Sequence, residues 1–391
     1  MMPDVTYKKL GEVAEVLNGF AFKSSEYIAE GIRVIRIANV QKGAIVDDAP
    51  AFYPRSKEQG LKRYMLREDD ILMSLTGNVG RVGLLPKEML PAALNQRVAC
   101  LRIINPAISF KFLYSYLNSD FFEQQCIAAS RGIAQLNMST EWLKEQLIPI
   151  PSLDIQQSIV RELDAINAII ADKRQQLAEL DNLAQAIFYN MFGDPIANDK
   201  GWEVKKMNEL CYEFKYGTSS PATPNGKYKY LRMCNLTYNG YLDLTDIKMI
   251  NVPDEEIEKC IVRKGDILFN RTNSIDLIGK TCMFDEDEPM VIAGYIIRVR
   301  VTDAVLPIYI ARAFNIPSIK KLLRVMAKGA VNQANINAKE LASISIPLPP
   351  LPLQQAFAAK IEAIEEQKSA VRASLTEFES LLAQRLEHHF A

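Results

Sequence analysis

IPIPSLDIQQSIVRELDAINAIIADKRQQLAELDNLAQAIFYNMF, residues 148–192, and IPLPPLPLQQAFAAKIEAIEEQKSAVRASLTEFESLLAQRLEHHF, residues 346–390, are two copies of one pattern. They align without a gap at a constant offset of 198, and nine positions between Asp154 and Phe192 are identical, among them Gln156/Gln354, Gln157/Gln355, Arg174/Arg372 and Leu177/Leu375. A long ungapped repeat at half the chain length marks a duplicated unit. In the first copy Ile159, Leu163, Ile166, Ile170, Leu177, Leu180, Ala184, Ile187 and Met191 recur at helical steps, with Lys173 interrupting. Phe357, Ile361, Ile364, Lys368, Val371, Leu375, Phe378, Leu382, Arg385 and His389 stand at the matching places of the second. Such spacing predicts a coiled-coil seam. Neither copy has an internal Gly or Pro between Asp154 and Phe192 or between Leu353 and Ala391. Each is therefore predicted to run as a helix of about 38 residues, or about 57 Å. The proline stretches IPIP and IPLPPLP are read as helix starts, because Pro is tolerated in a first turn and ends a strand ladder. Gly193, Asp194 and Pro195 stop the first helix.

Working outward, the segment before each helix repeats in order with diverged sequence. KYLRMCNLTYNG parallels IRVIRIANVQKG, so Arg232 matches Arg36, Asn235 matches Asn39 and Gly240 matches Gly43. GDILFNRTNSIDLIGKT parallels DDILMSLTGNVGRVG, and KGAVNQANIN parallels RGIAQLNMS. Alternating apolar residues bounded by Gly and Asn read as strands and turns, and Phe110 to Ala129 reads as one helical stretch. The fold class is α+β: two globular mixed α/β domains separated by two long helices that bury their stripes against each other as an antiparallel coiled coil. The boundaries are 1–148, 149–194, 195–346 and 347–391.

The chain has 391 residues, ample for two domains with cores, and its 48% hydrophobic and 24% charged residues are those of a globular protein. The longest apolar run, Val291 to Ile297, is too short to cross a bilayer, and MMPDVTYKK lacks an apolar signal core. The expectation is a cytoplasmic protein with no membrane partner. Six cysteines without a CxxC pair are read as reduced thiols, and the only two histidines, His388 and His389, exclude most zinc constellations. Net charge is −1, but it is unevenly spread: residues 1–150 carry +2 and 196–346 carry +3, while 151–195 carry −4 and 347–391 carry −2. A polyanion contact therefore belongs to the globular segments. GKT at Gly279 to Thr281 lacks the glycine a phosphate loop needs, since Ser274 stands in its place. No nucleophile elbow and no HExxH occurs. The chain is expected to be non-catalytic on its own, with no metal and no cofactor of its own.

The order of variable segment, IPxPxLxxQQ helix, variable segment and IPxPPLxxQQ helix resembles the specificity subunit of type I restriction-modification systems. The resemblance spans nearly the whole chain and rests on Ile148 to Leu153 with Gln156 and Gln157, and on Ile346 to Leu351 with Gln354 and Gln355. Gly132 and Gln135, and Gly329 and Gln333, add to it. Members often carry Glu where Gln156 and Gln354 stand. The resemblance implies two target-recognition domains reading a split site on double-stranded DNA. It also implies two methyltransferase subunits that supply S-adenosylmethionine and the adenine chemistry, and restriction (motor) subunits, with ATP and Mg on these partners.

Arg reads guanine and Asn or Gln adenine, while Lys, Ser and Thr position phosphates. The DNA-binding candidates in the first half are Lys23, Ser24, Arg36, Thr76, Asn78, Arg81, Asn95, Gln96, Arg97, Arg131 and Gln135. In the second half they are Tyr216, Thr218, Lys227, Lys229, Arg232, Arg271, Asn273, Lys280, Lys328, Asn332 and Gln333. Two readers on one rod are expected to meet half-sites about 34 to 36 Å apart. The acidic positions Glu162, Asp164, Glu362 and Glu365 are read as an outward docking face for the catalytic partners. The rival readings are a coiled-coil scaffold with two protein-binding heads, a DNA-binding protein of another restriction type, and an enzyme with its own methyl transfer.

Overall fold

The structure is a computed structural model that describes residues 5–130, 136–330 and 333–390. The two repeated stretches are helices of 40 residues each, Leu153–Phe192 and Leu351–Phe390. Their starts follow from local chemistry. Ser152 Oγ accepts from the N–H of Ile155 at 3.4 Å, and Pro352 sits in the first turn of the second helix, where its missing N–H costs nothing. The first helix ends at Gly193, whose φ of +77° suits glycine and whose N–H reaches Tyr189 O at 2.9 Å.

The chain divides into two compact units, Met1–Arg174 with Ala373–Ala391, and Gln175–Arg372. Each contains one globular domain, the beginning of one long helix and the end of the other, so the two helices run antiparallel within each unit. In the first unit a four-stranded antiparallel sheet has the order Ala14–Asn18, Val98–Ile103, Ile71–Ser74, Val82–Leu84. The second repeats it with Cys211–Tyr216, Ile296–Val301, Ile267–Asn270 and Thr281–Met283. Each unit has a further sheet with one parallel pair, Ile32–Ile35 on Ala92–Leu94 and Tyr228–Leu231 on Met290–Ile292. Each domain is closed by an N-terminal strand pairing with the strand that feeds the long helix, Thr6–Lys9 with Leu147–Ile150 and Glu203–Lys206 with Ser345–Leu348. Asp70 explains its own repetition as Asp266. It accepts from Arg102 at 2.6 and 2.7 Å and from the Arg67 N–H, and Asp266 does the same for Arg300 and Arg263.

The stretch Phe110 to Ala129 is two helices, Phe110–Leu117 and Asp120–Ala129. Ser119 breaks it, because its Oγ caps the second helix by accepting from the Phe122 N–H at 3.2 Å. The second unit achieves the same break with Pro317, between Pro307–Ala313 and Pro317–Met326.

Both helix starts are fastened to their domain by the first glutamine of the QQ pair, fully buried in each copy. Gln156 accepts from the Ser109 N–H at 2.7 Å and donates to Pro151 O and Ala107 O at 2.8 Å. Gln354 accepts from the Leu306 N–H at 2.8 Å and donates to Pro349 O at 2.7 Å. An amide suits this place because it both accepts and donates.

Along the seam Ile159, Leu163, Ile166 and Ile170 are buried, as are Phe357, Ile361 and Ile364. Leu177, Leu180, Ile187, Val371, Leu375, Phe378 and Leu382 are half-buried. Near its end the first helix buries Ala184, Phe188 and Phe192, a row that steps by four, rather than Ile187 and Met191. The shift occurs because this stretch faces the globular core as well as the other helix: Phe188 and Phe192 pack on Tyr309 and Phe357. Phe390 does the same against Phe112 and Tyr116 in the first unit. Five cysteines are buried and Cys234 is exposed. Among the described residues no helix is long and apolar enough to cross a membrane.

Candidate nucleic-acid interface

In the first unit Lys23, Ser24, Asn78, Gln96 and Arg97 are exposed, and Asn95 is half-buried. Lys23 lines a recess of about 380 Å³ walled by Phe20, Tyr53 and Leu61 and edged by Glu26 and Lys57. Asn95 Oδ1 accepts from the Arg97 N–H at 3.2 Å, which holds the turn that presents Gln96 and Arg97. Asn78 sits in the loop between Ile71–Ser74 and Val82–Leu84. Arg81, half-buried, donates to Gln41 Oε1 at 2.8 Å and lies 3.8 Å from Glu123.

In the second unit Tyr216, Lys227, Lys328 and Gln333 are exposed. The Tyr216 ring carries the Arg271 guanidinium at 4.9 Å, and its hydroxyl accepts from the Ala338 N–H. Lys229 pairs with Glu288 at 2.6 Å, and Lys328 with Glu340 at 2.6 Å. Asn273 Oδ1 accepts from the Ser274 N–H at 2.9 Å. Thr272–Asn273, Gln333–Asn335 and Lys328–Ala330 form one small sheet, so candidates from three separate stretches of sequence are brought together. Arg131, Gln135 and Asn332 lie outside the described residues.

Other candidates are engaged inside the fold. Thr76 is buried and donates to Asn137 Oδ1 at 3.0 Å; Thr272, at the matching place, donates to Asn335 Oδ1 at 2.9 Å. These pairs pin the loop after the central strand in each unit. Thr218 is buried and its hydroxyl bonds Ser220. Arg36 and Arg232 brace equivalent loops. Each N–H donates to an Asn three residues on, Asn39 or Asn235, at 2.9 Å. The Arg36 guanidinium donates to Ala49 O, and that of Arg232 to Asp246 O at 2.7 Å and to the Asp246 carboxylate at 2.8 Å. The repeated R-x-x-N is thus a loop-bracing motif whose arginines spend donors on backbone.

Two of the four acidic helix positions read as outward also face inward. Glu162 holds Arg385 and His389 at 2.9 Å, and hydrogen bonding to His389 with the nearby Arg385 charge lowers its carboxyl. Glu365 holds Arg312 at 2.9 Å and accepts from the Tyr241 hydroxyl at 3.0 Å. Asp164 and Glu362 are exposed, Asp164 in an ion pair with Lys111.

One basic group lies outside the sequence-derived candidates, Lys320, Lys321 and Arg324 on the helix Pro317–Met326. Their signal was the run KKLLR, which helical periodicity alone assigns to a solvated face. Lys320 is instead buried, with its ammonium on Gly279 O at 2.9 Å and over the Tyr238 ring at 4.7 Å. Burial, with Arg324 and Lys280 nearby, pulls its pKa down to about 7. Lys280 is half-buried and burial lowers it as well.

A family profile described as the type I restriction modification DNA specificity domain matches residues 2–182 and again 199–377. The specificity subunits of the type I restriction enzymes EcoBI of Escherichia coli and EcoKI of Escherichia coli strain K12 are 23% and 21% identical to the chain. Those alignments cover 90% of it and 77% and 80% of the relatives. Among solved structures, a type I restriction-modification S subunit from M. genitalium matches 99% of the chain and 96% of its own at 14% identity and a TM-score of 0.51. A chain from a study of complex assembly and conformational transition in the type I R-M system matches 100% and 98% at 20% identity and a TM-score of 0.57. These two likenesses are of fold.

Proposed function

The chain belongs to the type I restriction modification DNA specificity domain family, with two copies of that domain in tandem, and we propose that each copy reads one half of a split site on double-stranded DNA. The protein is the sequence-recognising, non-catalytic subunit of a type I restriction-modification system and acts with methyltransferase and restriction subunits. The finer assignments are ours. Residues 1–148 and 195–346 are the two target-recognition domains, and 149–194 and 347–391 are spacer and dock. Two methyltransferase subunits bind the assembly, and S-adenosylmethionine, ATP and Mg reside on the partners.

The observation that carries this reading is the repetition of the whole unit, down to the buried glutamine clamp, around loops whose polar residues differ. Lys23, Ser24, Asn78, Gln96 and Arg97 in the first domain are available to a groove, as are Tyr216, Lys227, Lys328 and Gln333 in the second. The expected experiment is an exchange of residues 1–148 for the matching segment of a relative, followed by methylome sequencing. One half of the methylated site should change and the other stay. Alteration of both halves, or of neither, would break the two-reader assignment.

A further inference from the structure

The two domains carry opposite charge at one equivalent helix. In the first, Asp120–Ala129 contributes Asp120 and Glu123, and these acids neutralise their basic neighbours: Lys42 pairs with both, and Arg81 lies 3.8 Å from Glu123. In the second, Pro317–Met326 places Lys320 where Glu123 stands and adds Lys321 and Arg324. The equivalence is structural as well as sequential. A β-carbon on Gly80 would strike Cys126, and one on Gly279 would strike Leu323, so the same loop lies on the same helix in both domains. The residue after each glycine is basic, Arg81 or Lys280. Arg81 has an acid beside it; Lys280 has Lys320.

Among the described residues, none of Lys280, Lys320, Lys321 and Arg324 forms an ion pair. Arg324 donates to the Tyr238 hydroxyl at 2.7 Å, and Lys320 has only the Gly279 carbonyl and the Tyr238 ring. A buried ammonium without a carboxylate costs stability, and such costs persist where function requires them. Lys321 and Arg324 are exposed beside it. The patch adjoins the candidate interface along the chain on both sides. Lys280 closes the loop that begins at Arg271 and Asn273, and the helix leads straight into Lys328.

We propose that Lys321 and Arg324, with Lys280 from the adjoining loop and the buried Lys320 charge beneath them, form a seat for the phosphate backbone of duplex DNA that the second domain has and the first lacks. The charge is of the sign a duplex requires, and a row of cations without base-reading geometry holds phosphates and adds affinity without sequence preference. This inference rests on the reading that the domains bind DNA.

The test is a salt titration of duplex binding by the full chain assembled with its methyltransferase partner, on DNA carrying the methylated site. Lys321→Gln with Arg324→Gln should lower the slope of log affinity against log salt by about two, near 0.9 per lost contact. Lys264→Gln, a basic residue of the same domain already paired with Asp285 and Asp287, should leave the slope at its wild-type value. Lys320→Met should raise the melting temperature of the free chain while weakening duplex binding several-fold. An unchanged slope in the double variant overturns the inference. So does an equal drop in Lys264→Gln, or a Lys320→Met protein that is stabilised yet binds as wild type. Absence of salt-dependent duplex binding by the wild-type complex would instead overturn the DNA-reading function on which the inference rests.

Discussion

Asp181 and Glu379 occupy the same place in the two copies of the long helix, 198 residues apart, and the two units use them differently. In the second unit Asp181 meets the buried ammonium of Lys368 at 2.6 Å and the Tyr241 hydroxyl at 3.0 Å. The Tyr241 ring covers Lys368 at 3.6 Å, its hydroxyl accepts from Arg312 at 2.8 Å, and Glu365 completes the group. Burial pulls the Lys368 ammonium below its ordinary range despite these partners. In the first unit Glu379 meets Arg174 at 2.8 Å in the open, the two side chains 46% and 65% exposed. The repeat position of Lys368 is there Ile170, buried and apolar. The duplicated helix has thus been kept as a shape while its electrostatics were rebuilt, apolar in one unit and ionic in the other. Lys368 at a seam position gives its unit a pairing that only a carboxylate-bearing partner satisfies, as polar residues in coiled-coil seams do.

The widest divergence between the units is expected at Lys320 and Glu123. An unfolded lysine titrates near pH 10.4, and the folded Lys320 is pulled down to about 7. Between those values the unfolded chain binds the extra proton, so the stability of the second unit rises with pH from about 7 to about 10. Lys320→Met removes this dependence. The variant should exceed wild type by about 2–4 kcal/mol near pH 6 and by little near pH 10. Hydrogen exchange of the Pro317–Met326 amides at several pH values measures it within the unit concerned. Glu123→Met should stabilise at no pH, because it takes from Lys42 one of its two acids and from Arg81 the acid beside it. A pH-independent gain in Lys320→Met would show that Lys320 keeps its proton in the fold throughout this range, as it does in the unfolded chain.

Legibility in the sequence follows the same division. The long helices were readable because runs of at least 38 residues without Gly or Pro and with a sustained apolar step leave one structure to form. The strands of the domains could be matched between the halves only through the repeat, since Asp70 and Asp266, or Asn39 and Asn235, recur where the fold needs them, and their order in the sheets was not readable. What Arg36, Thr76, Arg232 and Thr218 do was not readable. An arginine that braces a carbonyl and one that reads a base have the same local sequence, and only the turn of the loop decides between them. Lys320 was missed for a related reason: helical periodicity places it beside Lys321, but the glycine loop that covers it arrives from 41 residues away. The step of the seam near Phe188 and Phe192 likewise depends on Tyr309 and Phe357, far off in the chain.

The next effect in size belongs to Asp181. Asp181→Ala leaves Lys368 inside the unit with Glu365 at 3.5 Å as its remaining acid, and it takes a partner from Tyr241. Breaking a buried pair from one side costs about 3–5 kcal/mol, and the remaining acid should reduce this to about 2–3. Lys368→Ile, which copies the apolar solution of the first unit, should restore most of that loss when combined with Asp181→Ala. Denaturant unfolding followed by exchange in residues 351–372 reports both. A double variant no better than Asp181→Ala alone would mean that the carboxylate matters through Tyr241 and not through the buried ammonium.

The smallest effect is expected at the twin position. Glu379→Ala removes an exposed ion pair with Arg174, and exposed pairs gain little because water screens the attraction and two long side chains must be held still. The cost should stay below about 0.5 kcal/mol and vanish at about 1 M salt, where the screening length falls to about 3 Å. Arg174→Ala should match it, and the double variant should equal either single. The same repeat position would then differ several-fold in energy between units because burial, and not the presence of a carboxylate, sets the worth of the pair. A loss at Glu379 as large as at Asp181, persisting in high salt, would place a shared constraint on both copies of the helix and dissolve the contrast.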